Sequence, residues 1–100
     1  MYAILRQTPY DTERLASAEE ALAEFQAVHA AQPGYAGNIV VDAGDGQRFT
    51  VTMWESENDA AAARAVLEPH VRRLLQPLTV GPSQLLGVGE VVTTDLTRQH

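Results

Sequence analysis

One stretch constrains the fold of this chain more than any other: Arg48–Ala60, in which an alternating segment runs directly into an alanine-rich one. In Arg48–Trp54 hydrophobic residues alternate with threonines up to the only tryptophan, and this period of two predicts a β-strand. Ser56 and Asp59 then have the spacing of a helix-capping pair, and four consecutive alanines follow. The stretch therefore predicts a strand, a sharp exit and the start of a helix, with Trp54 at the end of the strand.

Three further segments predict strands: Tyr2–Gln7, Ile39–Val41 and Gln84–Thr94. Each is rich in apolar residues, and turn-forming residues lie at its borders. A loop of Asp and Gly residues joins Ile39–Val41 to Arg48–Trp54. Two such runs with a short Asp-Gly loop between them predict an antiparallel hairpin. Thr97–His100 is expected to be a loose tail.

A first helix is expected to end near Ala31, where a Pro-Gly pair follows. It begins either at Asp11–Thr12 or at Ser17, which has a capping-box spacing to Glu20. Residues at helical spacing form one apolar stripe along this segment, namely Leu15, Ala18, Leu22, Phe25 and Val28.

A second helix is expected from Ser56 to about Glu68. Pro69 has no amide hydrogen to donate to the preceding turn, so we expect it to break or kink this helix. A separate short helix is then expected at His70–Gln76, ending before Pro77.

The predicted order is β-α-β-β-α-β, in a single domain that spans residues 1–100. Short connections and right-handed crossovers turn this order into a four-stranded antiparallel sheet with both helices on one face, the ferredoxin-like α+β fold. Both alternating sides of Arg48–Trp54 are fairly apolar, and the helices cover only one of them. We therefore expect the other side to meet the sheet of an identical subunit in a homodimer.

The composition excludes several classes of function. The formal net charge is −6, which argues against a nucleic-acid partner because phosphate binding needs clustered cations. All seven basic residues are arginines, so no Schiff-base or P-loop lysine exists. The chain has no cysteine and no stretch of membrane-spanning length. We expect a cytoplasmic protein with no membrane partner.

The first helix is followed by Pro33-Gly34-Tyr35-x-Gly37, the third strand ends in Trp54-Glu55-Ser56, and the next helix starts with Asp59-Ala60. With the order of elements, these residues resemble the antibiotic biosynthesis monooxygenase family over nearly the whole chain. The resemblance implies a dimeric α+β barrel. Some members of that family oxidise quinols or polycyclic phenols with molecular oxygen and without a cofactor, some degrade heme, and some have no known activity.

The resemblance also implies roles for particular residues. Trp54 stands where a tryptophan lines the pocket of the phenol-oxidising members, and Thr50 stands where those members have an asparagine. Arg72 or Arg73 would stabilise an anionic oxygen. His70 would act as a base or, in a heme-degrading member, as the iron ligand.

Structural alternatives exist for each of these residues. Trp54 could be a core aromatic residue, and Arg72 and Arg73 could belong to a solvated helix face. His29 lies near the end of the first helix, where a cation suits the helix dipole, and we expect it to be structural or solvated.

Two functional hypotheses follow. The first is a cofactor-independent monooxygenase of an aromatic or quinol-type small molecule. The second is a non-catalytic ligand-binding or structural homodimer, with heme binding ranked below both. No metal site is expected, since the three histidines are distant in sequence. The resemblance to the phenol-oxidising members implies that no cofactor is needed. The candidate catalytic residues are Trp54, His70, Arg72 and Arg73, and the candidate substrate contacts are Thr50, Phe25 and Tyr35.

Overall fold

The computed structural model describes residues 1–95, which form a four-stranded antiparallel sheet with helices packed on one side. The strands are β1 (Tyr2–Pro9), β2 (Tyr35–Gly44), β3 (Gln47–Trp54) and β4 (Gln84–Glu90). The helices are α1 (Thr12–Ala16), α2 (Glu19–Ala30) and α3 (Glu57–His70). A π-helical turn at Val71–Leu75 and a 3-10 turn at Gln76–Leu78 follow α3. No helix among these residues has the length and apolarity needed to cross a membrane.

The strands lie in the order β2-β3-β1-β4, and every neighbouring pair is antiparallel. This order confirms the ferredoxin-like α+β fold that the sequence predicts. Trp54 at the end of β3 is directly opposite Tyr2 of β1 on one side and Tyr35 of β2 on the other. The register of the three strands therefore sets the position of the indole ring.

The first helical region is two helices rather than one, with a break at Ser17 and Ala18. The Asp11 carboxylate caps α1 by accepting from the amide of Arg14 at 3.0 Å. The expected capping box of Ser17 and Glu20 is wrong, because the Ser17 hydroxyl donates to the carbonyl of Glu13 at 3.0 Å and is turned back toward α1. Helix α2 consequently starts without a side-chain cap.

Pro69 lies inside α3, so the predicted break at Glu68 is also wrong. The helix continues to His70 and passes directly into the π-helical turn. A π-helical turn is wider than an α-helical one and rearranges the carbonyl pairing. Pro69 removes one helical hydrogen bond, the one to the carbonyl of Ala65, but the next turn keeps its pairing, since the amide of Val71 donates to the carbonyl of Leu67.

Strands β1 and β3 are within two residues of their predicted lengths, with β1 ending at Pro9 and β3 beginning at Gln47, whereas β2 and β4 differ more. Strand β2 begins at Tyr35, because it pairs with β3 along almost its whole length. Strand β4 ends at Glu90 rather than at Thr94. Among residues 1–95 its strand partner is β1, where Tyr2 is already opposite Glu90, so β1 has no strand residue opposite the residues after Glu90. The predicted tail at Thr97–His100 lies outside the described residues.

The turn before β2 fits closely against the start of α3. Gly34 has a φ of 81°, and its carbonyl accepts a 2.8 Å hydrogen bond from the amide of Glu55. A Cβ atom at Gly34 would overlap the carboxyl group of Asp59. Ser56 caps α3 by accepting from the amide of Asp59 at 3.1 Å, and its hydroxyl donates to the Asp59 carboxylate at 3.0 Å. This arrangement fixes the direction in which the chain leaves Trp54.

The side of the sheet away from the helices is apolar. Trp54 packs on α3, so the residues that alternate with it along β3 point to the opposite side. With three of their cross-strand partners they form an apolar face of six residues, Leu5, Ile39, Val41, Phe49, Val51 and Met53, while the polar Gln7 is opposite Phe49 at its border. Leu5, Ile39 and Val41 are exposed, and the other three are half-buried.

Gly34→Ala is expected to destabilise the fold by more than about 3 kcal/mol, since the added Cβ meets the Asp59 carboxyl in addition to the strain of a positive φ. Gly44→Ala is the matched control. Gly44 also has a positive φ, 94°, but no atom lies within 4 Å of an added Cβ. Backbone strain alone should then cost about 1–2 kcal/mol. Urea unfolding measures both changes, and equal losses would contradict the close fit at Gly34.

Candidate functional site

Trp54 is the most deeply buried aromatic side chain in the helix-facing core, with 3% of its surface exposed. It packs against three buried residues of α3, Ala60, Ala63 and Leu67. The two small alanines let the helix backbone approach the indole closely, which explains why an alanine-rich helix follows this strand.

The imidazole of His29 lies against the indole of Trp54, at a position where a protein core usually has a hydrophobic side chain. His29, on the last turn of α2, is 8% exposed and is the buried polar residue of the described core. Its ring centroid is 5.6 Å from that of Trp54, 5.1 Å from that of Tyr35 and 5.4 Å from that of Phe25. Tyr35 also meets Trp54 edge-on, at 5.7 Å and 83°. We call Phe25, His29, Tyr35 and Trp54 the aromatic cluster.

The environment of His29 favours its neutral form. Burial lowers the pKa of His29 below its ordinary value of 6.5, because the apolar surroundings solvate the imidazolium poorly. Its Nδ1 atom is buried and has no hydrogen-bond partner within residues 1–95. Such an orphaned polar atom costs stability and is uncommon in a core. A neutral imidazole with an unpaired nitrogen can accept a proton from a bound molecule.

The helical spacing of apolar residues in the sequence also indicates that His29 is buried. His29 follows Phe25 by four residues, Leu22 by seven and Ala18 by eleven, which places it on the same helical stripe. We expected His29 to be either structural or solvated. The solvated alternative is wrong, because the position of His29 on the apolar stripe turns its side chain toward the sheet.

Two of the predicted substrate contacts, Phe25 and Tyr35, lie against His29, and Tyr35 also contacts Trp54. Thr50, the third, is half-buried on β3, on the same side of the sheet as Trp54 and two alternations away from it. The structure thus brings three of the predicted residues together and sets Thr50 further along the same face.

An asparagine that sequence reasoning missed also lies on this face. Asn38 of β2 is directly opposite Thr52, and its side-chain oxygen accepts a 2.9 Å hydrogen bond from the Thr52 hydroxyl. No bond to the Asn38 amide nitrogen is found in the described part of the chain, so this nitrogen is available as a donor. The hairpin register is the signal that could have located it, since Thr52 alternates with Trp54.

The remaining candidates lie outside the aromatic cluster. His70 is half-buried at the end of α3, with a buried Nδ1 atom that has no partner among the described residues. Arg72 pairs with Glu68 on its own helical stretch, and Arg73 pairs with Glu24 of α2. Both arginines are exposed, and each has a carboxylate partner. Their catalytic roles stay predictions.

Two surface clefts of about 290 and 310 Å³ lie away from the cluster. The first is bordered by α1 and the β2–β3 turn, and the second by residues at the ends of β1, β3 and β4. Neither cleft is lined by a residue of the aromatic cluster, where neighbouring rings occupy the space beside the indole. Among residues 1–95, no group of three His, Cys, Asp or Glu side chains is placed to hold a metal ion.

Several solved structures share this fold. A variant of SnoaB, a cofactor-independent oxygenase from Streptomyces nogalater, matches with a TM-score of 0.74 and 20% identity over 93% of this chain and 94% of its own. An antibiotic biosynthesis monooxygenase matches with a TM-score of 0.73 and 14% identity over 93% and 100% of the two chains. A protein of unknown function from Nitrosomonas europaea matches with a TM-score of 0.78 and 13% identity over 98% and 95%. No protein-family model and no curated protein matches the sequence. The chain therefore has the fold of the antibiotic biosynthesis monooxygenase structures, as its motifs predict.

The burial of His29 predicts a specific pH dependence of stability. Because the folded-state pKa is below 6.5, the unfolded chain binds the proton at higher pH than the folded chain does. The free energy of unfolding is therefore expected to fall as the pH drops from about 6.5 toward the folded-state pKa, by at most about 1.4 kcal/mol per pH unit. His29→Phe should remove this slope, whereas His70→Gln should retain it. Urea unfolding at a series of pH values measures it, and an unchanged slope in His29→Phe would contradict the assignment.

Proposed function

We propose that this protein is a cytoplasmic, homodimeric monooxygenase that oxidises an aromatic or quinol-type small molecule without a cofactor. The observation that carries the proposal is the unpaired Nδ1 atom of a buried, neutral His29 among aromatic rings. The likeness of the fold to a structure named as a cofactor-independent oxygenase supports the reaction class. Trp54 and Tyr35 are the walls of the proposed site.

His29 is the proposed general base. A phenol or an anthrone-type methylene that lies against Trp54 would give its proton to the imidazole, leaving an electron-rich anion in an apolar environment. Burial keeps the imidazole unprotonated at neutral pH, so the base is ready before the substrate arrives. The amide nitrogen of Asn38 and the hydroxyl of Thr50 are the proposed donors to the substrate's oxygen, from the same side of the sheet.

The oxidation then needs only molecular oxygen. The substrate anion transfers electrons to oxygen, and a C–O bond forms at the deprotonated carbon. Cleavage of the O–O bond leaves a carbonyl on the substrate and releases the second oxygen atom as water. A methylene thus becomes a ketone while one oxygen molecule is consumed, so the substrate supplies all four electrons. The protein contributes the base, the positioning and the exclusion of water.

Substrate entry requires a ring of the aromatic cluster to move. Tyr35 is the proposed movable wall, because it is half-buried and its hydroxyl is held by an exposed 3.3 Å hydrogen bond from Gln26. Gly37, two residues after Tyr35, has a φ of 138°. This glycine permits a backbone rearrangement that other residues resist.

The close packing around Trp54 favours a second candidate, a non-catalytic homodimer on the same fold. In that case His29, Tyr35 and Trp54 only pack the core, through ring contacts of 5.1 to 5.7 Å, and they bind no substrate. The oxygen assay below separates this candidate from the oxygenase.

The apolar face of the sheet supports the proposed homodimer. Leu5 and Ile39, near the centre of the face, are exposed in the single chain, and half-buried Val51 and Met53 lie beside them. A contiguous apolar face of this kind marks an interaction surface. A two-fold axis lets the same face of a second copy cover it, with the two sheets packed face to face.

Oxygen uptake with dithranol, an anthrone, tests the proposed reaction. The wild-type protein is expected to consume oxygen in the presence of a chelator, and His29→Gln is expected to lower the rate by about 100-fold or more. Trp54→Phe should lower it less, because a smaller ring still lines the site. His70→Gln is the matched variant, since His70 also has an unpaired Nδ1 atom but lies outside the cluster.

The outcomes of this assay are distinct. Loss of uptake in His70→Gln with retention in His29→Gln would assign the base to His70 and contradict the role of His29. Absence of uptake above the protein-free rate with dithranol and with a panel of quinols would contradict the oxygenase and favour the non-catalytic homodimer.

Analytical ultracentrifugation tests the homodimer. Leu5→Glu and Val41→Glu are each expected to shift the wild-type dimer to a monomer, because a carboxylate in the apolar face would be buried without a partner. Val66→Glu is the control, since Val66 on α3 is 50% exposed, close to the 52% of Val41, but lies on a helix. A dimer that persists in both sheet variants would contradict this interface.

A further inference from the structure

The second of the two surface clefts has a lining that the proposed function does not use. Its volume is about 310 Å³, and it lies past the border of the apolar face, where β1 ends and β3 begins. Six residues line it, namely Gln7, Pro9, Gln47, Pro82, Ser83 and Gln84. We call it the amide cleft, because three of the six residues are glutamines.

Strand pairing brings the three glutamines together from three strands. Gln7 of β1 is directly opposite Gln84 of β4, and Gln47 of β3 is directly opposite Pro9 of β1. These positions alternate in phase with Leu5 of the apolar face, so the three side chains lie on the side of the sheet away from the helices. The surface of the sheet therefore changes from hydrocarbon to amide at this end.

The loop before β4 forms the other wall of the cleft and is bonded to β1. The amide of Val80 donates to the carbonyl of Pro9 at 3.0 Å, and the hydroxyls of Thr8 and Ser83 share a 2.9 Å hydrogen bond. Pro82 lies between the two bonded loop residues, and its own ring restricts its backbone. The cleft is therefore formed before any ligand arrives, which lowers the entropic cost of binding.

The amide groups in the cleft have unused hydrogen-bonding capacity. The side-chain nitrogen of Gln7 donates to the side-chain oxygen of Gln47 at 3.1 Å. This bond leaves the Gln7 oxygen as an acceptor and the Gln47 nitrogen as a donor, and neither atom has another partner within residues 1–95. The exposed Gln84 amide also has no partner there, and it carries a donor beside an acceptor.

This lining favours a flat, uncharged heterocycle. None of the described residues that line the cleft is ionisable, and the net charge of −6 disfavours a phosphate-bearing ligand. A glutamine amide can form two hydrogen bonds to one edge of adenine, to its amino group and to a ring nitrogen. The rings of Pro9 and Pro82 offer apolar surface to the faces of such a molecule. The cleft volume is at the lower end for small-molecule sites and suits one or two fused rings.

We propose that the amide cleft binds an uncharged purine-type base, with Gln84 on one donor–acceptor edge of the base and the Gln7–Gln47 pair on another. The cleft shares no residue with the aromatic cluster or with Asn38 and Thr50, and it lies on the other side of the sheet. Binding there does not depend on the proposed oxygenase reaction. The cleft is at the rim of the proposed dimer interface, and interface rims remain accessible to solvent.

An NMR titration with adenine tests the site. In amide correlation spectra of the ¹⁵N-labelled wild-type protein, adenine is expected to cause saturable shifts at Gln7, Gln47, Ser83 and Gln84, with a Kd of about 1 mM or below. The matched probe is 6-methylpurine, in which a methyl group replaces the amino donor. It is expected to bind about fivefold or more weakly, because it cannot form the paired hydrogen bonds.

Variants of the glutamines test their role. Gln84→Met and Gln47→Met are each expected to reduce adenine affinity by about fivefold or more, since methionine keeps the length of glutamine but has no amide. Gln76→Met is the matched control, because Gln76 is exposed like Gln84 but lies in the 3-10 turn outside the cleft. The same spectra show whether each variant is folded.

Several results would overturn the proposal. Absence of saturable shifts with adenine up to about 5 mM would show that the cleft binds no such base. Equal affinity for adenine and 6-methylpurine, or unchanged adenine affinity in both Gln84→Met and Gln47→Met, would show that the amides do not recognise the edge of the base. Shifts centred on His29 and Trp54 would place adenine in the aromatic cluster instead.

The dimer provides a last distinction. Dissociation of the dimer in Gln47→Met, without adenine binding to the wild-type protein, would assign the glutamines to the subunit interface and overturn the site. Failure of oxygen uptake with dithranol leaves the adenine titration unaffected, so the two proposals are tested separately.

Discussion

The contact between the indole of Trp54 and the alanine-rich side of α3 is the interaction on which the rest of the structure depends. Strand pairing sets Trp54 between Tyr2 and Tyr35. The small side chains of Ala60 and Ala63 let α3 pack closely on the indole ring. One ring from α2 and one from β2, those of His29 and Tyr35, also contact the indole. The Pro-Gly turn and the helix cap maintain this exit geometry.

Within this packing, His29 is an unfavourable residue, because its Nδ1 atom is buried and has no hydrogen-bond partner among residues 1–95. A buried polar atom without a partner costs about 1–3 kcal/mol, and a leucine or phenylalanine at the same point of the stripe would avoid that cost. Sequences that break a local rule of this kind do so most often at functional sites.

The architecture was predictable because alternation, capping residues and turn residues agree along most of the chain. The failures have identifiable causes. The hydroxyl of Ser17 had two possible partners, and sequence spacing cannot decide between them. The end of β4 depends on the length of β1, and α3 continues past Pro69 although the loss of one hydrogen bond there predicts a break. Site residues were harder still, since the position of His29 was visible in the helical stripe but the lack of a partner for its Nδ1 atom arises only from packing.

The central claim is that the fold holds His29 neutral and unpaired among aromatic rings at physiological pH. An NMR titration of the His29 side chain, with His29→Phe used to assign its signals, tests this claim most directly. We predict that the imidazole remains neutral at pH 6.5, the ordinary histidine value, and protonates only at lower pH. A midpoint at or above 6.5 would contradict the account, because it would show that the imidazole is solvated or that it has an anionic partner.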